Sequence, residues 1–316
     1  MKLDVVVPTY NRSGLLQVTI SSLLRAPIPT GLEVTIIIAD NNSKDDTEAV
    51  VRKIQTESDR SIVYVKEMRQ GSSYARNAGI AAGTGDLVGF IDDDEEIDAQ
   101  WYTVVAREFA DPATQFIGGP YFANCQTPMP PWLPPGYNGV IGVMQPKPRS
   151  LMDASYPGNL QGGNAVLRRG VFDQVGLYDG NLGRSDRGLL SEEDAEFYGR
   201  VKSAGIRGWQ VPDLIIYHYI PASRLTRSYY RRWCYWRGVS QGLVDKEKRE
   251  PVAYILGLPR HRIRQGIQGL ASLPLNLSPT RGSGPPFAQE LHLWSLMGFI
   301  YGKFFIDIEK YYAGKK

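Results

Sequence analysis

The stretch Leu87–Asp98, LVGFIDDDEEID, sets six acids in seven positions directly behind five mostly apolar residues. A short apolar run bounded by polar residues reads as a buried strand, so the acids stand at a strand end. Crowded carboxylates repel one another at neutral pH, and two arrangements tolerate them. One is a solvated turn that caps a helix. The other is a positive partner that the chain itself does not supply. In an extended backbone Asp92 and Asp94 point to one side and Asp93 to the other. Such a D-x-D pair can share a divalent cation with the phosphate oxygens of a ligand, because Mg²⁺ and Mn²⁺ take hard oxygen donors. Glu95, Glu96 and Asp98 read as the turn that follows, with no chemical role.

Upstream, strand and helix signals alternate. LDVVVPTY (3–10) is a strand halted by Pro8, and SGLLQVTISSLLRA (13–26) carries a helical apolar stripe with Ser13 as its N-cap. LEVTIIIAD (32–40) and SIVYVKE (61–67) are strands, and DDTEAVVRKIQTES (45–58) is a helix. SSYARNAGIAAG (72–83) is a helix closed by Gly83 and Gly85, and a further helix falls within 99–110. The alternation implies an α/β fold: a mainly parallel sheet covered by helices on both faces. Ligands of such sheets bind at the carboxyl ends of the strands, where Asp40 and Asp92 both stand. That placement weighs against the solvated turn.

Residues 119–163 break the rhythm. PMPPWLPP (128–135) holds five prolines in eight residues, which excludes a central strand or a helix. A long irregular insertion of this kind is usually functional or mobile. Order resumes with GGNAVLRRGVFDQVG (162–176), a helix in SEEDAEFYGRVKSAG (191–205) and a strand in DLIIYHYI (213–220). Beyond 221 the chain reads as helical, aromatic and basic, with a Gly/Pro/Ser linker at 278–286 and a last helix over about 287–312. The expected organisation is a domain over 1–220, in halves of about 1–118 and 119–220, followed by a helical region over 221–316.

Composition narrows the function classes. Cys125 and Cys234 lack paired spacing, which fits a reducing cytosol and excludes a thiolate zinc site. LHLWSLMGFIYGKFFI (291–306) is interrupted by His292, Ser295 and Lys303 and is too short to span a bilayer. MKLDVVVPTYN reads as a first strand rather than a secretion signal. The net charge of +3 conceals an asymmetry: residues 221–316 carry 16 Lys and Arg against 6 Asp and Glu. A basic tail suits nucleic acid, a membrane surface or a phosphorylated acceptor, or is simply solvated.

Several residues carry both a structural and a chemical reading. Ser191 and Asp194 form a capping-box-like pattern, and acids in a first helical turn are favoured by the dipole. Glu193 or Asp194 can equally serve as a general base. His218 is a packed strand residue or a neutral imidazole ligand to the same cation. Arg76 is a helix-surface residue or a phosphate clamp. Asp40, Asn41, Asn42 and Ser43 turn the chain after the second strand, or hydrogen-bond a base or ribose.

In order, VVVPTYNRSGLL, IIIADNNSKDDT, QGSSYARNAGIAAGTGDLVGFIDDDEEID, GGNAVLRR and SEEDAEFYGRVKSAG resemble glycosyltransferase family 2 from about residue 3 to 220. The resemblance implies a GT-A fold, a nucleotide-diphosphate sugar donor (a UDP-sugar first), Mn²⁺ or Mg²⁺, and inversion at the anomeric carbon. It implies a nucleotide-binding loop at Pro8, Thr9, Tyr10 and Arg12, with Asp40 on the base and Asn42 beside it. Arg76 falls near the phosphates. Asp94 is the direct metal ligand with His218 as a further one, Asp92 reaches metal and ribose or sugar, and Asp93 counts with the nucleotide contacts. Gly163 and Asn164 face sugar and acceptor. Asp194, within the Glu193–Asp194 pair, is the base. ADNNS departs from relatives that carry a second Asp and a Gly there, which leaves the nucleobase open. The proline-rich insertion has no counterpart to transfer; it is expected to shape the acceptor side, with Trp132 as its candidate contact.

Three other readings compete, the weakest a phosphohydrolase with a D-x-D nucleophile, whose acids belong after the first strand and not the fourth. A sugar-phosphate nucleotidyltransferase would want a Gly-rich phosphate loop after the first strand, which VVPTYNRSG lacks. A non-catalytic nucleotide-sugar-binding protein on the same fold would not need Asp92, Asp94, Asp194 and His218 together. Many relatives build bacterial surface polysaccharide on lipid-diphosphate carriers. The resemblance therefore implies a cytoplasmic enzyme whose Arg-, Trp- and Tyr-rich helix near 227–237 contacts the inner membrane face. No nucleic-acid partner is expected, and dimerisation is the other use of the tail.

Overall fold

Val5 and Val7 face one side of the first strand and Val6 the other, and all three are fully buried. A strand buried on both faces belongs in the middle of a helix-covered sheet. The computed structural model describes residues 1–134, 136–180, 193–247, 249, 251–276 and 285–306. Its elements begin β1 (Lys2–Thr9), α1 (Ser13–Arg25), β2 (Glu33–Asp40), α2 (Thr47–Glu57), β3 (Ser61–Lys66), α3 (Ser72–Ala82) and β4 (Leu87–Ile91). There follow β5 (Glu95–Ile97), α4 (Trp101–Glu108), β6 (Phe116–Gly118), β7 (Tyr121–Cys125), β8 (Ser150–Met152), β9 (Asn164–Arg168) and α5 (Arg169–Val175). Then come α6 (Glu193–Ser203), β10 (Gly208–Gln210), β11 (Ile216–Ile220) and α7 (Arg227–Glu247). The last are β12 (Tyr254–Ile255), β13 (Leu258–Pro259), α8 (Arg260–Asn276) and α9 (Pro285–Phe304).

Two compact units result. One gathers Met1–Asn124 with the described parts of Val143–Asp186 and Ser191–Tyr219, and the other gathers Cys125–Gly142 with the described parts of Ile220–Lys316. In the first, the large sheet runs β3-β2-β1-β4-β9-β6-β10-β8. The β3-β2-β1-β4 half is parallel, and β9 then inserts antiparallel between β4 and β6. One face packs Leu16, Ile20, Val51 and Trp101 of α1, α2 and α4, and the other packs Ala75, Phe172 and Phe197 of α3, α5 and α6. A second sheet, β5-β11-β7, carries the strand after the acids. A bridge between Tyr121 and Met144 clasps the two ends of the proline-rich excursion.

Three expectations are revised. Ser13 is the first helical residue and not the cap: its hydroxyl donates to Asp46 Oδ1 and its N–H to Asp45 Oδ2. The free N–H groups of α1 are thus met from the neighbouring loop. Residues 119–163 contain the short strands β7 and β8, and residues after 221 contain the β12–β13 hairpin; both are too brief to show a period. Ser191 and the linker residues 278–284 lie outside the described residues.

In the second unit α9 packs on α7 at backbone distance. A Cβ on Gly238 would lie 2.1 Å from Ser295 O, and one on Gly298 would lie 1.9 Å from Tyr235 O. Trp132 stands edge-on to Tyr230 and Phe287, at ring-centroid distances of 5.5 and 5.4 Å. Among the described residues no helix is long and apolar enough to cross a membrane.

Candidate active site

β1, β2 and β4 run parallel and end together, which brings Thr9, Asp40 and the acids after Ile91 to one edge of the sheet. β9 pairs antiparallel with β4 in the register Ile91↔Asn164, so Gly162 and Gly163 arrive beside Asp92. The chain turns tightly over 92–94 instead of staying extended, and this corrects the alternation expected from the sequence. Asp93 and Asp94 share a partner: Arg12 Nη1 donates to Asp93 Oδ1 at 3.0 Å and to Asp94 Oδ2 at 3.1 Å. Thr9 Oγ1 donates to the other Asp93 oxygen at 2.8 Å. Burial, opposed by Arg12 and reinforced by Asp94, pushes the Asp93 carboxyl up to about 6.

Asp92 turns toward Arg76 on α3. The Arg76 guanidinium is 4% exposed, with Nη2 3.2 Å from Asp92 Oδ1 and Nη1 3.3 Å from Asp194 Oδ1 and 3.5 Å from Glu193 Oε1. Burial works against its charge, but Asp194, Asp92 and Glu193 together raise its pKa well above the usual value. The α6 first turn supplies Glu193 and Asp194, where the helix dipole favours carboxylates. Their environments differ. The Asp194 side chain keeps 24% of its surface exposed against 7% for Glu193, so Asp194 is the more open of the two. Gly162 N–H donates to Asp194 Oδ2 at 3.0 Å and fixes its orientation, while Ser72 Oγ donates to Glu193.

His218 lies on β11 opposite Glu95 of β5, with Nε2 3.6 Å from Asp94 Oδ1. Neutral imidazole and carboxylate at that separation can bind one cation between them. Among the described residues no cluster of three or more His, Cys, Asp or Glu side chains is set to hold a metal. One carboxylate and one imidazole are donors that Mg²⁺ or Mn²⁺ accept when phosphate oxygens and water complete the shell. Among the described residues Arg12 pairs with Asp93 and Asp94, and Arg76 with Asp92, Glu193 and Asp194.

Two residues here escaped the sequence reading. Glu95, taken above for a turn residue, is on β5, 2% exposed, and accepts the Asp92 N–H at 2.7 Å. Burial first, then Asp92 and Asp94, push its carboxyl well above the usual range. Tyr121 is buried, and its hydroxyl has no hydrogen-bond partner among the described residues. Burial and then the charges of Glu95, Asp92 and Asp194 raise it far above its ordinary value. No local signal marks either: β5 has three residues, and Tyr121 stands in a segment without periodicity.

The remaining candidates take varied roles. Asp40 is 1% exposed and accepts from Ser43 N–H and from the Tyr64 hydroxyl at 2.6 Å, a bond that braces the end of β2. Asn42 sits at φ +63° and accepts from Lys44 Nζ. Pro8 and Tyr10 are half-buried around Thr9. Asn164, 1% exposed, is a brace: its amide is committed to Trp101 Nε1, Pro120 O and Leu214 O. Gly163 has a steric reason to be glycine, because a Cβ there would lie 2.5 Å from Glu95 Oε1 and 3.0 Å from Asp92 Oδ2. Gly163→Ala is expected to cost about 1–3 kcal/mol through overpacking, seen as a lower thermal midpoint. An unchanged midpoint would show that Glu95 can step aside.

A sequence model described as Glycosyl transferase family 2 matches residues 4–176. The succinoglycan biosynthesis protein ExoM of Rhizobium meliloti is 24% identical over 318 residues, spanning 99% of this chain and 96% of its own. Among solved structures, the mannosyltransferase PcManGT from Pyrobaculum calidifontis, in complex with GDP-Man and Mn²⁺, aligns with a TM-score of 0.61 at 18% identity. That alignment covers 96% of this chain and 88% of PcManGT. S. aureus TarS 1-349 in complex with UDP-GlcNAc aligns at 0.52 and 15% identity, over 98% of this chain and 78% of that one. At such identities the structures speak for the shared GT-A fold. With the family pattern covering more than half its length, this chain belongs to glycosyl transferase family 2 and is a glycosyltransferase.

Proposed function

We propose that the protein transfers a sugar from a nucleotide-diphosphate sugar, a UDP-sugar first, to a hydroxyl of a glycan or lipid-linked saccharide, with inversion, in surface polysaccharide assembly. The observation that carries this reading is the single buried Arg76 held between Asp92 and Asp194. It ties a carboxylate of the D-x-D turn and the partly exposed Asp194 carboxylate to the two terminal nitrogens of one guanidinium. Asp194 takes the proton from the acceptor hydroxyl, which attacks the anomeric carbon opposite the diphosphate in one displacement. Gly162 N–H and Arg76 hold Asp194 in place, and no side chain is needed as a covalent nucleophile. Asp94 and His218 would hold the divalent cation, with Asp92 kept on Arg76 and phosphate oxygens completing the shell; when bound the cation supplies positive charge against the leaving diphosphate. The fold shared with proteins solved with GDP-Man and Mn²⁺ or with UDP-GlcNAc supports a nucleotide-sugar donor. The name of the succinoglycan relative supports polysaccharide assembly. The acceptor is read as membrane-borne, with the protein peripheral on the inner face.

A screen of UDP- and GDP-sugars for nucleotide release with Mn²⁺ tests the reading. Release is expected with one donor class and is expected to stop in EDTA. Asp94→Ala should weaken nucleotide binding at least about tenfold with Mn²⁺ and leave metal-free binding unchanged. Release that survives EDTA, or equal affinity in wild type and variant, would remove the metal from the mechanism.

A further inference from the structure

The β12–β13 hairpin ends in the two-residue turn Leu256–Gly257, between the paired Ile255 and Leu258. Both turn residues are left-handed, at φ +49° and +76°. That turn favours Asn-Gly or Gly-Gly, since a Cβ is strained there. This chain places a leucine in the strained position and leaves it 92% exposed. A strained aliphatic side chain held in solvent serves neither the turn nor the core.

It does not stand alone. Phe304, 52% exposed, closes on the turn, with a ring atom 3.3 Å from where a Gly257 Cβ would sit. Phe305 is 72% exposed and stacks with Tyr301, and Ile255 is 48% exposed beside the tip. Cations rim this apolar group. Lys246 donates to the carbonyl of Ile306, Arg249 lies over the Tyr254 ring, and Arg260 follows Pro259; all three are exposed. The edge continues along α8, where exposed Arg264 and Ile267 follow Arg260 at i+4 and i+7. Apolar side chains backed by Arg and Lys suit the boundary between acyl chains and anionic headgroups. The charge of 221–316, 16 basic against 6 acidic residues, complements such a surface.

We propose that the hairpin tip and the end of α9 form a wedge that inserts into an anionic bilayer, and that this wedge, more than the Arg/Trp/Tyr helix near 227–237, makes the membrane contact. The proposal rests on the reading of a membrane-borne acceptor, yet its test is separate from transfer. The full-length protein is co-sedimented with vesicles of phosphatidylcholine alone and with 30% phosphatidylglycerol. Binding is expected only to the anionic vesicles and is expected to fall at 0.5 M salt. Leu256→Asn suits the left-handed turn, so it should hold or raise the thermal midpoint while weakening vesicle binding about fivefold; adding Phe305→Ser should bring the loss past about tenfold. Nucleotide release in detergent-free buffer should not change, because neither residue is among those assigned to the site. Equal vesicle binding by wild type and Leu256→Asn would overturn the proposal, as would no binding by wild type. A dimer that dissociates on Leu256→Asn without any vesicle effect would also overturn it and assign the tip to a second copy.

Discussion

Arg76→Met is expected to lower the stability of the first unit by about 3–5 kcal/mol and to abolish transfer. The reason is not the pair energy itself but what the substitution leaves behind. Asp92, Asp194 and Glu193 lie within 3.5 Å of the guanidinium, and its loss strands the buried Glu193 and two partly exposed carboxylates without that counter-charge. Urea unfolding followed at pH 8 checks the loss of stability. A variant within about 1 kcal/mol of wild type at pH 8 would show that water or the neighbouring chain already compensates these acids. Arg76→Lys keeps the charge but loses the fork, and should recover part of the stability and little of the activity.

Asp194→Asn is expected to lower turnover by about 10²–10⁴-fold, the range for loss of a positioned general base. The amide can still accept the Gly162 N–H, so the local structure has its hydrogen bond. Nucleotide affinity should stay within about twofold of wild type, because the change lies on the acceptor side. Single-turnover transfer and calorimetric nucleotide binding separate the two effects. Turnover within tenfold of wild type would move the base assignment away from Asp194. Glu193→Gln should behave differently: its carboxylate is buried against Ser72 and Arg76, so its loss should appear first as instability.

The parallel half of the sheet was legible because each strand and helix carries enough residues for its period to show. Val5, Val6 and Val7 announce a two-sided strand, and the stripe through Leu16 and Ile20 a one-sided helix. The strand-end acids were legible for the same reason, since topology alone sends Asp40 and Asp92 to one edge. What escaped was geometry set by distant residues. The turn at 92–94 gives Asp93 and Asp94 a common partner in Arg12, some eighty positions upstream. The sequence reading looked outside the chain for all the positive charge, whereas Arg12 and Arg76 supply part of it. Glu95 is buried only because a three-residue strand pairs with β11, and Asn164 faces inward because Trp101 and two carbonyls claim its amide. Neither outcome has a local signature.

The Tyr121–Met144 bridge has a consequence for how such a chain can change. It pins the departure and return of the 125–142 excursion side by side. A segment pinned at both ends behaves as a closed loop, whose entropic cost grows only with the logarithm of its length. Doubling it costs about 0.6 kcal/mol. Insertions and deletions there are cheap and leave the strand ends that carry Asp92 and Asp94 in place. The length of this excursion can therefore change without retuning the charges at the strand ends.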